Sequence, residues 1–444
     1  MRLVIFTPAI KTSAIGRSIS LVIQALTKSG HSVAVVRGED VSLLKAETHD
    51  FGVELVPWTK SEQVAELVRH ADSLIYTIGD NYTYHRGCLE WLTREPGVVC
   101  LHDFFLGNLF CGWAQDHMAE ALTTLRAWYG HEQATAYLGH SATEKFIEAT
   151  KDVAPMTEWI GSMAYGVITH SSWGIQRVLD SCPGPVRVVP LAYDAPASAL
   201  VSKSLIKRAS TAAGFNVLTI GHVNPNKRAE SVIRAIGSSA VLRGNTTYQL
   251  VGYVPSEVSE HLASLAESLK VKLVMFGEAD SATLLQAIGE AHVICCLRWP
   301  SLEAASASAI EAMLYGKPVV VTDTGFYSEL PDTCVRKIRI QNEIPDLQQA
   351  LEHLCQNEGE RLALGAKAAE WATANFSAEN YANQLIDASL AAQRAVPMLK
   401  ATQSLAGTLW RWEASPGLMT LNDMTEPLRL FDNCQEAPRD GVGA

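Results

Sequence analysis

The sequence predicts an α/β protein built as two facing Rossmann-like domains. Short Val-, Ile- and Leu-rich runs alternate with amphipathic stretches along most of the chain, the mark of repeated βαβ units on a parallel sheet. The length, 444 residues, exceeds one such domain at roughly 100–200 residues each. The composition, 48% apolar and 19% charged, excludes a disordered or fibrous chain.

In the first half, RLVIFTPA reads as a buried strand, SISLVIQALTKSG as a helix stopped by Gly30, and HSVAVVRG as the next strand. SEQVAELVRHA then precedes DSLIYTIGD, CLEWLTREP precedes GVVCLHD, and TEWIGSMA precedes YGVITHS, each a helix feeding a strand with a polar C-terminal end. Such ends are where open α/β sheets hold ligands. Residues 105–160 lack strand signals and read as a helical insertion in a first domain spanning residues 1–200. A linker of small, polar and basic residues is expected near 194–214. The alternation resumes from FNVLTIGHV to KPVVVTD, giving a second domain over 201–375. A helix at 376–395, expected to cross back to the first domain, precedes a partly disordered tail at 396–444.

Several functions are excluded or unsupported. A net charge of −11 argues against a nucleic-acid partner, whose binding would rest on excess Lys and Arg. The first βα turn, PAIKTSAIGRS, carries only Gly16 and lacks the dinucleotide fingerprint, and Gly316-Lys317 is followed by Pro318 rather than completing a phosphate loop. No Asp-x-Asp pair and no His/Cys cluster at metal spacing is present, so no metal or other cofactor is expected. No apolar run approaches the ~20 residues that span a bilayer. Without a signal-peptide pattern, the expected location is cytoplasmic, with peripheral contact at the inner face of the membrane left open.

The informative stretch is RWPSLEAASASAIEAMLYGKPVVVTDTGFYSELP, residues 298–331. Glu303 and Glu311 are separated by seven residues, Gly316-Lys317-Pro318 closes a helix, and Thr322-Asp323, Gly325 and Glu329-Leu330 follow. With GHVNPNKR at 221–228, VVCLHD at 98–103, YTIGDNYTYH at 76–85 and VITHS at 167–171, the chain resembles the family-four retaining glycosyltransferases of the GT-B fold over residues 1 to about 390. The resemblance implies a nucleoside-diphosphate-sugar donor and a saccharide or lipid-linked acceptor meeting in a cleft between the domains, with no metal. It further implies bacterial cell-surface polysaccharide or glycolipid biosynthesis.

The chemistry agrees. Two phosphates grow more negative as the glycosidic bond breaks, and the protein must supply the opposing field. Candidates are the helix N-terminus at Ala305, Ser306 and Ala307, and the loop bearing Lys227 and Arg228. The resemblance makes Lys227 the diphosphate ligand, Glu311 the partner of the ribose hydroxyls and Glu303 the contact to the donor sugar. It places His222 where an arginine is usual, so Arg298 or Arg228 is expected to substitute. In the first domain, His102 faces the donor sugar, Gly16 approaches the donor, and Asp80, Asn81, His85 and Asp103 line an acceptor pocket. Lys11 and Arg17 flank the Gly16 loop and would meet a phosphate-bearing acceptor. Two alternatives stay open: another GT-B enzyme, such as an epimerase or a phosphorylase, and a non-catalytic nucleotide-sugar-binding subunit.

Overall fold

The computed structural model describes residues 1–194 and 214–414, residues 142 and 144 excepted. Residues 195–213 of the expected linker and 415–444 of the expected tail lie outside the described residues. The chain divides into two compact units. The first comprises Met1–His170, Gly174–Val189 and the chain from Ala382 on; the second comprises Ser171–Trp173 and Pro190–Tyr381.

In the first unit, the elements run β1 (Arg2–Thr7), α1 (Ala14–Lys28), β2 (Ser32–Arg37), β3 (Leu55–Pro57), α2 (Ser61–His70), β4 (Ser73–Ile78), α3 (Tyr82–Leu92) and β5 (Val98–Leu101). The insertion then supplies α4 (Gly107–Ala114), α5 (Met118–His140, broken at Gly130), α6 (Phe146–Thr150) and α7 (Thr157–Met163). It is followed by β6 (Gly166–Thr169), α8 (Ile175–Ser181) and β7 (Val186–Val188). The strands form a parallel sheet in the order β3-β2-β1-β4-β5-β6-β7. Their interiors are apolar on both faces, as a sheet covered on both sides by helices requires.

The second unit repeats the plan. Its elements are β8 (Phe215–Ile220), α9 (Ala229–Ser238), β9 (Thr246–Val251), α10 (Ser256–Ser268), β10 (Lys272–Met275), α11 (Ser281–Glu290) and β11 (Val293–Cys296). They continue as α12 (Ala307–Leu314), β12 (Val319–Thr322), α13 (Phe326–Glu329), β13 (Arg336–Ile338), α14 (Glu343–Gln356) and α15 (Glu358–Asn375). The order is β10-β9-β8-β11-β12-β13, all parallel. Alternate residues of each strand enter opposite cores: Leu218, Ile294 and Val321 pack with Ile310 and Met313 on one face, while Val217, Val293 and Val320 pack with Val232 and Leu351 on the other.

The last helix, α16, spans Ala378–Arg411. It was expected to stop at 395, so residues 396–411 are helix rather than irregular tail. Pro397 lies inside it, and the burial of Leu399 and Leu409 explains why the helix continues past a residue that ordinarily breaks one.

Candidate active site

In both sheets the direction of strand succession reverses at one place, between β1 and β4 and between β8 and β11. The crevice outside the carboxyl ends of the strands at such a reversal is where doubly wound sheets bind ligands. In the second unit, the loops leaving that point are 221–228 after β8 and 297–306 after β11. The Asn226 side-chain amide donates to the Pro300 carbonyl at 2.5 Å, and the Trp299 N–H donates to the Asn226 carbonyl at 3.0 Å. The two loops are therefore joined.

Their charged side chains converge. Lys227 is buried, and its ammonium donates to the Ile220 carbonyl at the end of β8. It lies over Gly221, where a Cβ would come within 2.7 Å of Nζ; the φ of +88° there also suits glycine. Arg298 is buried as well, with its Nε 3.1 Å from Glu303 and its Nη1 donating to the Leu297 carbonyl at 2.8 Å. The buried Tyr327 hydroxyl donates to the same Glu303 oxygen at 2.5 Å. Burial, followed by repulsion from Arg298 and partly offset by Glu303, pushes the Lys227 ammonium down to about 7. Arg298 keeps its charge: burial opposes it, but the Glu303 carboxylate more than compensates. Arg298 alone pairs with the part-buried Glu303 carboxylate, leaving the buried Lys227 ammonium with a backbone carbonyl and a neighbouring cation, an arrangement that an incoming anion would relieve.

The helix α12 begins beside this cluster. Ser306 is its N-cap, accepting the Ala309 N–H at 3.4 Å, and the first turn contains only Ala and Ser before Ile310. Ala305, Ser306 and Ala307 thus stand at the dipole-positive end. Glu311 follows one turn in and is buried. Gly325 holds the next loop close, since a Cβ on it would lie 2.1 Å from Ser301 Oγ. Lys317 is spent on structure: its buried ammonium donates to the Gly289 and Ala291 carbonyls at 2.8 and 2.9 Å, closing α11. Glu329 accepts from the Ser172 hydroxyl at 2.8 Å and the Trp173 N–H at 2.7 Å. His222 is exposed, its ring 5.1 Å from that of Tyr253.

Arg228 corrects an expectation. Instead of joining Lys227, it adopts a left-handed backbone conformation and pairs with buried Glu343 at 2.6–3.2 Å, a carboxylate that also accepts from the Ser231 hydroxyl at 2.6 Å. It borders a cavity of about 440 Å³ with Glu230, His261 and Glu343 that none of Lys227, Arg298, Glu303 or Glu311 lines. Arg228→Ala is expected to destabilise the second unit by about 2 kcal/mol, by stranding Glu343, while leaving nucleotide affinity unchanged. Scanning calorimetry with a parallel titration checks both.

In the first unit, histidines gather along the carboxyl ends of β4, β5 and β6, to one side of the reversal. His102 follows β5, its N–H donating to the Ile78 carbonyl at 2.8 Å, and its buried Nε2 has no hydrogen-bond partner. The His170 ring lies 4.5 Å away, with Nδ1 3.1 Å from the Val189 carbonyl. His85, on α3, places Nδ1 3.0 Å from the Thr77 carbonyl. Burial holds His85 and His170 at about 4 and His102 well below the ordinary range, so all three are neutral at pH 7. A Cβ on Gly79 would lie 3.0 Å from both His85 Nε2 and Asp103 Oδ2, which places these groups around one point.

Other predicted residues have structural work there. The Asp80 carboxylate accepts from the Asn108 amide at 2.6 Å and the Leu109 N–H at 2.9 Å, capping α4; burial and then Asp103 raise it well above the usual carboxylate range. Asp103 accepts the Asp80 N–H at 2.9 Å. Asn81 caps α3 through the Tyr84 N–H at 3.3 Å. Gly16, expected in a loop, lies instead in the first turn of α1, its N–H donating to the Ser13 hydroxyl, and a Cβ on it would strike the Pro8 carbonyl at 2.4 Å. Its close approach is to the chain itself. Lys11 pairs with exposed Glu47 at 2.8 Å. Sequence reasoning missed Tyr327, although it lies inside the 298–331 stretch, and Glu39, whose buried carboxylate accepts the N–H groups of Ala9 and Ile10 at 2.7 and 2.6 Å.

Among the described residues, no three His, Cys, Asp or Glu side chains are placed to hold a metal ion, and no helix is long and apolar enough to cross a membrane.

Two parallel α/β units of this strand order constitute a GT-B fold, and solved structures agree. HepE (Alr3699) of Anabaena, in complex with UDP, is 16% identical with a TM-score of 0.58, covering 87% of this chain and 99% of that one. Sucrose-phosphate synthase of Thermosynechococcus elongatus is 15% identical with a TM-score of 0.60, covering 87% and 98%. WaaG, a glycosyltransferase involved in lipopolysaccharide biosynthesis, is 16% identical with a TM-score of 0.54, covering 86% and 99%. Within the chain, residues 207–371 match the family of glycosyl transferases group 1. No curated protein matches the sequence.

Proposed function

We propose that this protein is a retaining, metal-independent glycosyltransferase that moves a hexose from a nucleoside-diphosphate sugar to a hydroxyl of a sugar, glycolipid or small-molecule acceptor. The observation that carries the reading is the Lys227, Arg298 and Glu303 cluster at the β8/β11 reversal, beside the N-terminus of α12. The diphosphate that departs from the sugar gains negative charge, and these groups supply a fixed positive field in a buried place. Glu311 takes the ribose hydroxyls with a carboxylate that accepts two hydrogen bonds. The acceptor attacks on the face the diphosphate leaves, the leaving phosphate takes its proton, and no protein nucleophile is required. His102, buried and neutral, is suited to hydrogen-bonding the transferred sugar rather than to carrying charge. Cell-surface polysaccharide or glycolipid synthesis is the setting that fits, and UDP-sugars are the first donors to try, since HepE binds UDP-glucose.

The test is hydrolysis of UDP-, GDP- and ADP-sugars by the purified protein, with and without EDTA, beside Lys227→Ala. Turnover of one donor that persists in EDTA and collapses in the variant is expected. Turnover abolished by EDTA would remove metal independence. Nucleotide binding without turnover on any acceptor would make the chain a sugar-nucleotide-binding subunit.

A further inference from the structure

Glu303 has two carboxylate oxygens, and the structure engages one of them. Oε1 accepts the Tyr327 hydroxyl at 2.5 Å and lies 3.1 Å from Arg298 Nε. Among the described residues, no group donates to Oε2. The Glu303 side chain is 25% exposed, whereas Arg298 and Tyr327 are buried. The part of the carboxylate that a ligand can reach is therefore the oxygen that Tyr327 and Arg298 leave open.

A glutamate carboxylate turns easily about its last bond unless something holds it. Arg298 by itself leaves a choice, because a guanidinium can serve either oxygen or both. Tyr327 removes the choice. It is fully buried on α13, its ring edge-on to Phe326 at 5.5 Å and packed in one core with Leu330 and Phe376, so its hydroxyl has a single position. α13 is itself anchored twice. Gly325, which precedes it, closes on Ser301, and Lys337 donates to the Ser328 carbonyl at 2.8 Å. Burial pushes the Tyr327 phenol well above its ordinary value, with Arg298 opposing and Glu303 assisting, so it stays protonated at every working pH. A phenol facing a carboxylate can only donate. Oε1 is thus fixed, and the direction of Oε2 follows.

We propose that Tyr327 is a positioning residue for sugar recognition: it turns Glu303 so that Oε2 receives a hydroxyl of the transferred sugar, which restricts the donor to hexoses that carry a hydroxyl at that place. Tyr327 has this role only if Glu303 contacts the donor sugar, as the proposed function holds, although that function by itself requires no tyrosine.

The experiment is calorimetric titration of the full-length protein and of Tyr327→Phe. The ligands are UDP, GDP and ADP, their hexose derivatives, and donors in which single sugar hydroxyls are replaced by hydrogen. Phenylalanine keeps the ring and its packing, and the melting temperature checks the fold. Free nucleoside diphosphate should bind both proteins equally. The intact donor should bind Tyr327→Phe about 3- to 10-fold more weakly, the loss of one aligned hydrogen bond. In the wild type, one deoxy donor should bind about 10- to 30-fold more weakly than the intact sugar nucleotide, and in Tyr327→Phe that difference should shrink to about threefold. A tyrosine with a merely structural role would weaken every ligand alike, and that result would overturn the proposal while leaving the transferase reading in place. A wild type indifferent to the loss of every sugar hydroxyl would overturn it without any variant. If no sugar nucleotide binds at all, the transferase reading falls and the role of Tyr327 falls with it.

Discussion

Lys227→Ala is expected to lower the rate of donor cleavage about 10²- to 10³-fold while the protein remains folded. The size follows from the surroundings. An exposed lysine facing a phosphate in water contributes little, but this ammonium is buried at the end of β8, and its charge acts where solvent cannot screen it. Removing it lifts a repulsion from Arg298, so the resting protein should lose no stability. The larger part of the effect should fall on the step in which negative charge develops, beside a weaker donor affinity. Steady-state kinetics on the donor found in the hydrolysis panel measures it, and an unchanged rate would remove Lys227 from the chemistry.

The second large effect concerns pH. With Lys227 at about 7 in the free protein, the ammonium is fully present below that value and lost above it. A sugar nucleotide, whose phosphates are both esterified, keeps its charge across this range. Donor affinity should therefore be flat below pH 7 and fall above it by up to about tenfold per unit, until the higher pKa of the complex is passed. Glu303 is the group that raises the lysine. Glu303→Gln should keep a hydrogen bond to Tyr327 yet start the fall at lower pH. Glu303→Ala should also destabilise the second unit by about 3–5 kcal/mol, because it strands the buried Arg298 guanidinium. Calorimetric titrations at a series of pH values decide it. A fall beginning at the same pH in wild type and Glu303→Gln would show that the carboxylate does not govern the lysine.

Much of the second unit was legible in the sequence. Its central strands are short, largely apolar runs, VICC and VVVT, and the pair Glu303 and Glu311 stands out through the resemblance of the whole 298–331 stretch. What spacing does not carry is side-chain direction. Lys227 and Arg228 are neighbours in sequence, but the left-handed backbone at Arg228 separates their targets, one to the end of β8 and the other to Glu343. Gly16 looked like loop because Ser13-Ala14-Ile15 carries no strong helical signal, whereas the Ser13 cap starts the helix at once. Asp80 and Asn81 look like ligands in sequence for the same reason that they cap helices well: a short polar side chain at a strand end accepts whichever N–H lies nearest. Tyr327 is invisible in the sequence as a partner of Glu303, since a residue of α13 and a loop residue 24 positions before it meet only in the folded unit.

The bond from Asn226 to the Pro300 carbonyl has a thermodynamic meaning. Together with Gly325 against Ser301 and Tyr327 on Glu303, it fixes the two loops at the β8/β11 reversal before any ligand arrives. The conformational entropy of ordering them is surrendered during folding rather than on binding. On the proposed reading, a nucleotide weak enough to leave after each turnover can then still be held in one orientation.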